Sequence, residues 1–218
     1  MYPTLSASLV GYLDLVGSIE PARRALLDRL ATFIVDRLQH DLPVDLVYIC
    51  THNSRRSHFG QFWASAAANH FQISGISTWS GGTEVTAMNP RSVAALQRAG
   101  FTVQKDVKNG EQNPRYTLSI DIDQPVGVGY SKVYDDPSNP TTGFAAIMTC
   151  SSADAGCPFV TGSAIRISLP YIDPKAADGT AEEAQVYDLR SGQVAVEQLY
   201  LMQQVKALIS NTLPPVTA

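Results

Sequence analysis

Short apolar runs recur along the chain, each followed by small or polar residues and then, in the clearest cases, by apolar positions at helical spacing. Val44, Leu46, Val47 and Ile49 form the first run, Gly75 to Trp79 the second, Phe144 to Thr149 the third and Ala164 to Leu169 the fourth. Continuous apolar runs of this length fit strands covered on both faces, which is how parallel sheets read. After the first, Ser57 opens a segment with Phe59, Phe62, Trp63, Ala66 and Ala67 along one helical stripe. After the second, Asn89-Pro90 starts a helix through Val93, Leu96 and Ala99 that Gly100 stops. The pattern predicts an α/β fold with a four-stranded parallel sheet flanked by helices.

Two segments stand outside these units. In residues 1–43, Leu5, Leu9, Tyr12, Leu13 and Val16 and then Leu26, Leu27, Leu30, Phe33, Ile34 and Leu38 predict two amphipathic helices, with Ser18 as N-cap of the second. This N-terminal helical extension covers either the domain itself or a second subunit, which would make a homodimer. In residues 101–143, Leu118, Ile120 and Ile122 alternate with polar residues, and Tyr130 to Tyr134 reads as the returning strand of a hairpin-like insert. The insert ends in the turn-rich Asp135-Asp136-Pro137-Ser138-Asn139-Pro140. From Thr180 onward the apolar spacing predicts a long helix interrupted near Gly192.

Composition narrows the class. A chain of 218 residues without a composition break reads as a single catalytic domain, 1–218. With 20 acidic against 16 basic residues the net charge is −4, so no broad basic field exists for nucleic acid or an anionic membrane, and an anionic substrate must be held locally. No apolar run approaches the ~20 residues of a membrane span, and the start lacks the basic region of a signal peptide. Three cysteines do not make a secreted disulfide framework and fit reduced thiols, so a cytoplasmic location is expected.

The chemistry concentrates at Cys50-Thr51-His52-Asn53-Ser54-Arg55-Arg56-Ser57, a C-x5-R-S spacing between the end of the first strand and the start of a helix. Backbone N–H groups at such a junction face outward with the positive end of the helix dipole, so a tetrahedral oxyanion fits a loop curled there. The same groups favour the thiolate of Cys50. Arg56 offers a planar fork for two oxygens of the anion. Ser57 can give its hydroxyl to the sulfur, and Asn53 tolerates the left-handed backbone of a tight loop.

This loop resembles the phosphate-binding loop of the low-molecular-weight protein tyrosine phosphatase family, which includes the thioredoxin-coupled arsenate reductases. The resemblance covers roughly residues 44–100 and 144–196. It departs at His52, where the family usually has glycine, and at Arg55, where a second loop cysteine is common. It implies Cys50 as nucleophile, Arg56 as oxyanion ligand, and Thr51, His52, Asn53, Ser54, Arg55 and Ser57 as the substrate-binding loop. Ser80 would meet Asn53 or merely end the second strand.

Cys150-Ser-Ser-Ala-Asp-Ala-Gly-Cys157-Pro158 follows the third strand and resembles the cysteine pair of the thioredoxin-coupled reductases. On that likeness Cys50 attacks arsenate, Cys150 attacks Cys50 to release arsenite, and Cys157 resolves the disulfide for thioredoxin or a glutaredoxin-like reductant. Taken alone, the two cysteines would equally be ordinary buried residues, and a zinc site has too few ligands. Seven residues of regular helix would separate them by ~10.5 Å, so a helical segment must unwind to form the Cys150–Cys157 bond. Of two Asp-Pro pairs, Asp173-Pro174 follows the fourth strand, and the family's matching Asp-Pro makes it the general acid; Asp136-Pro137 lies in the insert, and Asp154 reads as a solvated or capping residue. The expected activity is a cofactor-free, metal-free arsenate reductase using a three-cysteine relay. The alternatives are a protein tyrosine phosphatase acting through a cysteinyl-phosphate, and a non-catalytic oxyanion-binding or redox-sensing protein.

Overall fold

The first apolar run becomes β1 (Val44–Cys50), in which every residue but Asp45 is buried, and this strand is central to the sheet. The structure, a computed structural model, describes residues 1–106, 108, 110–157 and 159–212. Pro158 therefore lies outside the described residues. Ahead of β1 come α1 (Pro3–Leu13) and α2 (Pro21–Gln39); after it come α3 (Arg56–His70), β2 (Ile76–Gly82) and α4 (Pro90–Arg98). The chain continues through β3 (Thr102–Asp106), β4 (Arg115–Asp121), β5 (Gln124–Gly129), β6 (Phe144–Met148), α5 (Ser151–Gly156), β7 (Ser163–Ser168) and α6 (Glu183–Thr212).

Strands β2, β1, β6 and β7 lie side by side in that order, all parallel. Parallel neighbours require crossover connections, and the helices these supply cover the sheet. The order brings the C-terminal ends of β1 and β6 together, so Cys50 and Cys150 emerge at the same edge. Ligands of doubly wound sheets bind at that edge. β2 runs farther than its apolar residues suggest: Ser80, Gly81 and Gly82 stay paired with Tyr48, Ile49 and Cys50.

The N-terminal helices cover this chain's own core. Leu5, Leu9, Leu27, Leu30 and Ile34 are all fully buried, with α1 and α2 both packed on α6. Ser18 is not the cap of α2; it closes a short 3-10 turn at Val16–Ser18, and α2 starts at Pro21 after Glu20. α6 runs through Gly192 without a break. A side chain there would meet the Tyr12 ring at 2.9 Å, so the glycine serves close packing of α1 and α6, and that packing outweighs its cost in a helix.

Residues 101–143 hold more than a hairpin. β4 and β5 are antiparallel across a tight turn at Ile122 and Asp123, and β3 adds a third antiparallel strand. Leu118 and Ile120 point inward as their alternation predicts, and Tyr116 joins them, whereas Ile122 is exposed in the turn. Residues 130–134 are not the returning strand. Their backbone groups are taken by the Cys50 loop and by β2: the Lys132 N–H donates to Asn53 Oδ1 (2.9 Å), the Gly82 N–H to the Lys132 carbonyl (2.8 Å) and the Tyr134 N–H to the Gly82 carbonyl (2.9 Å).

Candidate active site

The loop from Thr51 to Arg55 is held by its carbonyls. That of Cys50 accepts from the Thr83 N–H; that of Thr51 from the N–H groups of Thr83 and Glu84; that of His52 from the hydroxyls of Thr86 and Ser131. The Asn53 carbonyl accepts from the His58 ring, the Ser54 carbonyl from the Asn89 N–H and the Arg55 carbonyl from the Phe59 N–H. The amide sides of residues 51–57 donate to no acceptor among the described residues. A loop with its carbonyls engaged by the scaffold and its N–H groups left over is an anion nest at a helix N-terminus. Gly82 permits it: a Cβ there would lie 2.7 Å from the Thr51 carbonyl oxygen and 2.8 Å from the Asn53 nitrogen.

The side chains add direction. Asn53 takes the left-handed conformation (φ 44°), and its Nδ2 donates to Ser57 Oγ at 2.9 Å. With one lone pair so occupied, Ser57 has its single proton free for Cys50 Sγ, 3.1 Å away. His58 is fully buried, and desolvation with the nearby positive Lys132 pushes its pKa down to about 3. The ring is therefore neutral. Since a carbonyl only accepts, Nε2 carries the proton toward Asn53 and Nδ1 accepts from Ser80 Oγ at 3.1 Å. Ser80 thus reaches Asn53 through His58 rather than directly.

Arg56 and Asp173 close one side. Arg56 Nη2 donates to Asp173 Oδ2 at 2.7 Å and Nη1 to the Tyr171 carbonyl at 3.1 Å, while its buried Nε has no hydrogen-bond partner among the described residues. Arg55 turns to the scaffold: its Nε donates to the Tyr187 hydroxyl (2.7 Å) and Nη2 to Asp178 (3.2 Å). Tyr187 in turn donates to Asp178, and burial together with that bond pushes its pKa up to about 12, so it stays a phenol. Asp136 is occupied elsewhere, accepting from the Ser138 N–H and hydroxyl. His52 is half-exposed, 3.4 Å from Glu84.

Cys150 lies at the adjoining strand end, almost fully buried, with its sulfur 3.4 Å from the hydroxyl of Thr51, the residue after Cys50. It also caps α5, accepting from the Ala153 N–H at 3.3 Å. Cys50 and Cys150 belong to one small apolar cluster with Ile49, Met148 and Ala153, and the half-buried Cys157 packs against it. All three cysteines are free thiols. Asp154 is not a cap and is only partly exposed. It pairs with Arg166 (2.6 Å) and accepts from Ser168 (2.7 Å), fastening α5 to β7. Tyr187, Asp178, Ser131 and Lys132 carry no local sequence signal, because each reaches the loop across long stretches of chain.

Its structural neighbours are low-molecular-weight protein tyrosine phosphatases and a thioredoxin-dependent arsenate reductase. A low-molecular-weight phosphotyrosine phosphatase of Vibrio cholerae O395 superposes with a TM-score of 0.49 at 12% identity, covering 78% of this chain and 99% of that one. A low-molecular-weight protein tyrosine phosphatase of Bacillus subtilis gives 0.49 at 13% identity, covering 75% and 97%. The thioredoxin-dependent arsenate reductase of Corynebacterium glutamicum gives 0.36 at 18% identity, covering 87% and 80%. No protein-family model matches the sequence, and no curated protein matches it.

Proposed function

We propose that the chain is an arsenate reductase working through Cys50, Cys150 and Cys157. The observation that carries this reading is the position of Cys150, a thiol with its sulfur on the side chain of the residue next to the nucleophile. A phosphatase needs one thiolate, an arginine and an acid. A second buried thiol in the same cluster is what reduction requires.

In this reading arsenate sits in the nest, with the amides and Arg56 on its oxygens. The Cys50 thiolate attacks arsenic, and the departing hydroxide takes a proton from Asp173 to leave as water. Cys150 then attacks the Cys50 sulfur, the S–As bond breaks and its electron pair stays on arsenic, so As(V) becomes arsenite while a Cys50–Cys150 disulfide forms. Cys157 attacks the Cys150 sulfur, expels Cys50 as thiolate and leaves Cys150–Cys157, which an external dithiol of the thioredoxin or glutaredoxin class reduces with two electrons. Exchange of this kind needs an attacking thiolate with a clear path to the sulfur.

The Arg56–Asp173 pair supports a second reading, phosphate monoester hydrolysis through a cysteinyl-phosphate. A paired assay separates the two. With thioredoxin, its reductase and NADPH, arsenate-dependent NADPH oxidation that disappears in Cys150→Ser and in Cys157→Ser supports the relay. Aryl phosphate hydrolysis that survives both substitutions but not Cys50→Ser, without arsenate turnover, supports the phosphatase. Turnover of neither leaves an oxyanion-binding or redox-sensing protein.

A further inference from the structure

A cavity of about 600 Å³ lies away from Cys50, between α3, β2 and β5, a volume in the range of small-molecule sites. Ile76, Trp79 and Val126 give its lining apolar surface, and two cations, Lys132 and Arg115, line it as well. Both are set on one ring: Lys132 Nζ is 4.4 Å and Arg115 Cζ 4.5 Å from the centre of Tyr130. Lys132 is 5% exposed, and among the described residues its ammonium has no hydrogen-bond acceptor and no carboxylate at ion-pairing distance. Arg115 likewise has no ion pair there. A buried ammonium without an acceptor is costly, and two like charges about one ring add to the cost. Burial holds Lys132 down at about 8, with Asp136 acting to raise it and Arg115 to lower it. Asp136 is the nearby carboxylate, but it is held by the Ser138 N–H and hydroxyl.

We propose that this cavity binds a small organic anion with an apolar body, its charged group held by Lys132 and Arg115 and its body laid along Trp79 and Val126. An anion there supplies the acceptor that Lys132 lacks and separates the two cations with opposite charge. Gln61 also lines the cavity and offers one polar contact to the body of the ligand. The site is distinct from the oxyanion loop: neither Cys50 nor Arg56 lines it.

The chain contains two tryptophans, and Trp79 lines the cavity whereas Trp63 is fully buried elsewhere in the core. The Trp79 indole N–H, which donates to Asp45 Oδ1 at 2.8 Å, therefore reports the site in a nitrogen-resolved NMR spectrum, its signal told from that of Trp63 with Trp79→Phe. The protein is titrated with 1-naphthoate, 1-naphthylphosphonate and neutral 1-naphthol, always with inorganic phosphate in excess to fill the Cys50 loop. The expected result is a saturable shift of the Trp79 signal with at least one of the two anions, weakened at least about tenfold in Arg115→Gln and in Lys132→Met, with 1-naphthol at least about tenfold weaker. The stronger anion names the headgroup, carboxylate or phosphoryl. No saturable shift with either anion overturns the proposal, as does equal binding of 1-naphthol or unchanged binding by Arg115→Gln. Because Arg115 is exposed, that variant decides the matter even if Lys132→Met does not fold.

Discussion

Arg56 holds Asp173: the Nη2 to Oδ2 distance is 2.7 Å, across 117 residues of sequence. The carboxyl group whose acid form would protonate a leaving oxygen is thus bound to the guanidinium that would grip the anion, and substrate competes with it for Arg56. Asp173→Asn removes the proton donor and weakens this competition. Turnover should fall by about 10²–10⁴, the usual worth of a general acid, while the dissociation constant for phosphate stays the same or tightens. Steady-state kinetics with a phosphate titration check both; weaker phosphate binding would contradict the competition.

Arg56→Lys keeps the charge but loses the fork. A lysine can satisfy Asp173 or one oxygen of the anion but not the planar, two-oxygen contact. The expected loss in kcat/KM is on the order of tenfold to a hundredfold, with folding unchanged by thermal melt.

Asn53 joins backbone strain to hydrogen bonding, and two substitutions separate them. It has a positive φ, donates to Ser57 and accepts from the Lys132 N–H. Asn53→Gly keeps the conformation and loses the bonds; Asn53→Ala loses both. Removing a buried partner costs about 1–3 kcal/mol, and the left-handed conformation adds to that for alanine. Thermal melts should rank wild type above Gly and Gly above Ala. If Ala matches Gly, the strain is not felt.

The sheet was readable because strands covered on both faces are mostly apolar: Phe144–Met148 is apolar throughout, and Val44–Cys50 is broken only by the partly exposed Asp45. The end of β2 was not, since Ser80-Gly81-Gly82 has turn composition and is held as strand by pairing with β1. Cys50, Asn53, Arg56 and Ser57 were readable because they sit within one local spacing. Their supports were not: Lys132 reaches Asn53 from 79 residues away and Tyr187 reaches Arg55 from 132. Nothing local in the sequence marks either partner, and Gly192 suggested a break that Tyr12 packing overrides.

His58 sets a pH dependence of stability. Its pKa in the fold is about 3, against about 6.5 for an unperturbed histidine. Between those values the unfolded chain binds more protons than the folded one, so stability rises with pH through that window and falls on acidification below about 6.5. The slope from one such group approaches about 1.4 kcal/mol per pH unit in mid-window. Denaturant midpoints from pH 7 to 4 should fall steeply in wild type and less steeply in His58→Gln; parallel curves would show that His58 is not the group responsible.

A Cys150–Cys157 disulfide would have to take α5 apart. Cys150 and Cys157 cap opposite ends of this six-residue helix, which by helical rise sets them ~10 Å apart along the axis, far beyond the ~3.8 Å Cβ spacing of a disulfide. The Asp154 N–H to Cys150 carbonyl and Cys157 N–H to Ala153 carbonyl bonds, both 2.9 Å, cannot survive that closure as a regular turn. Arg166 opposes it, bonding the Cys157 and Asp154 carbonyls and the Asp154 carboxylate. Hydrogen exchange at the Asp154 and Cys157 amides should therefore quicken on oxidation of a Cys50→Ser variant, which leaves Cys150–Cys157 as the one intramolecular pairing. Arg166→Met, by releasing the helix from β7, should speed formation of that disulfide by about threefold to tenfold, a change of roughly 0.7–1.4 kcal/mol. If the variant oxidises no faster and the two amides keep their protection in the oxidised protein, α5 does not open, and the last step of the relay has no route.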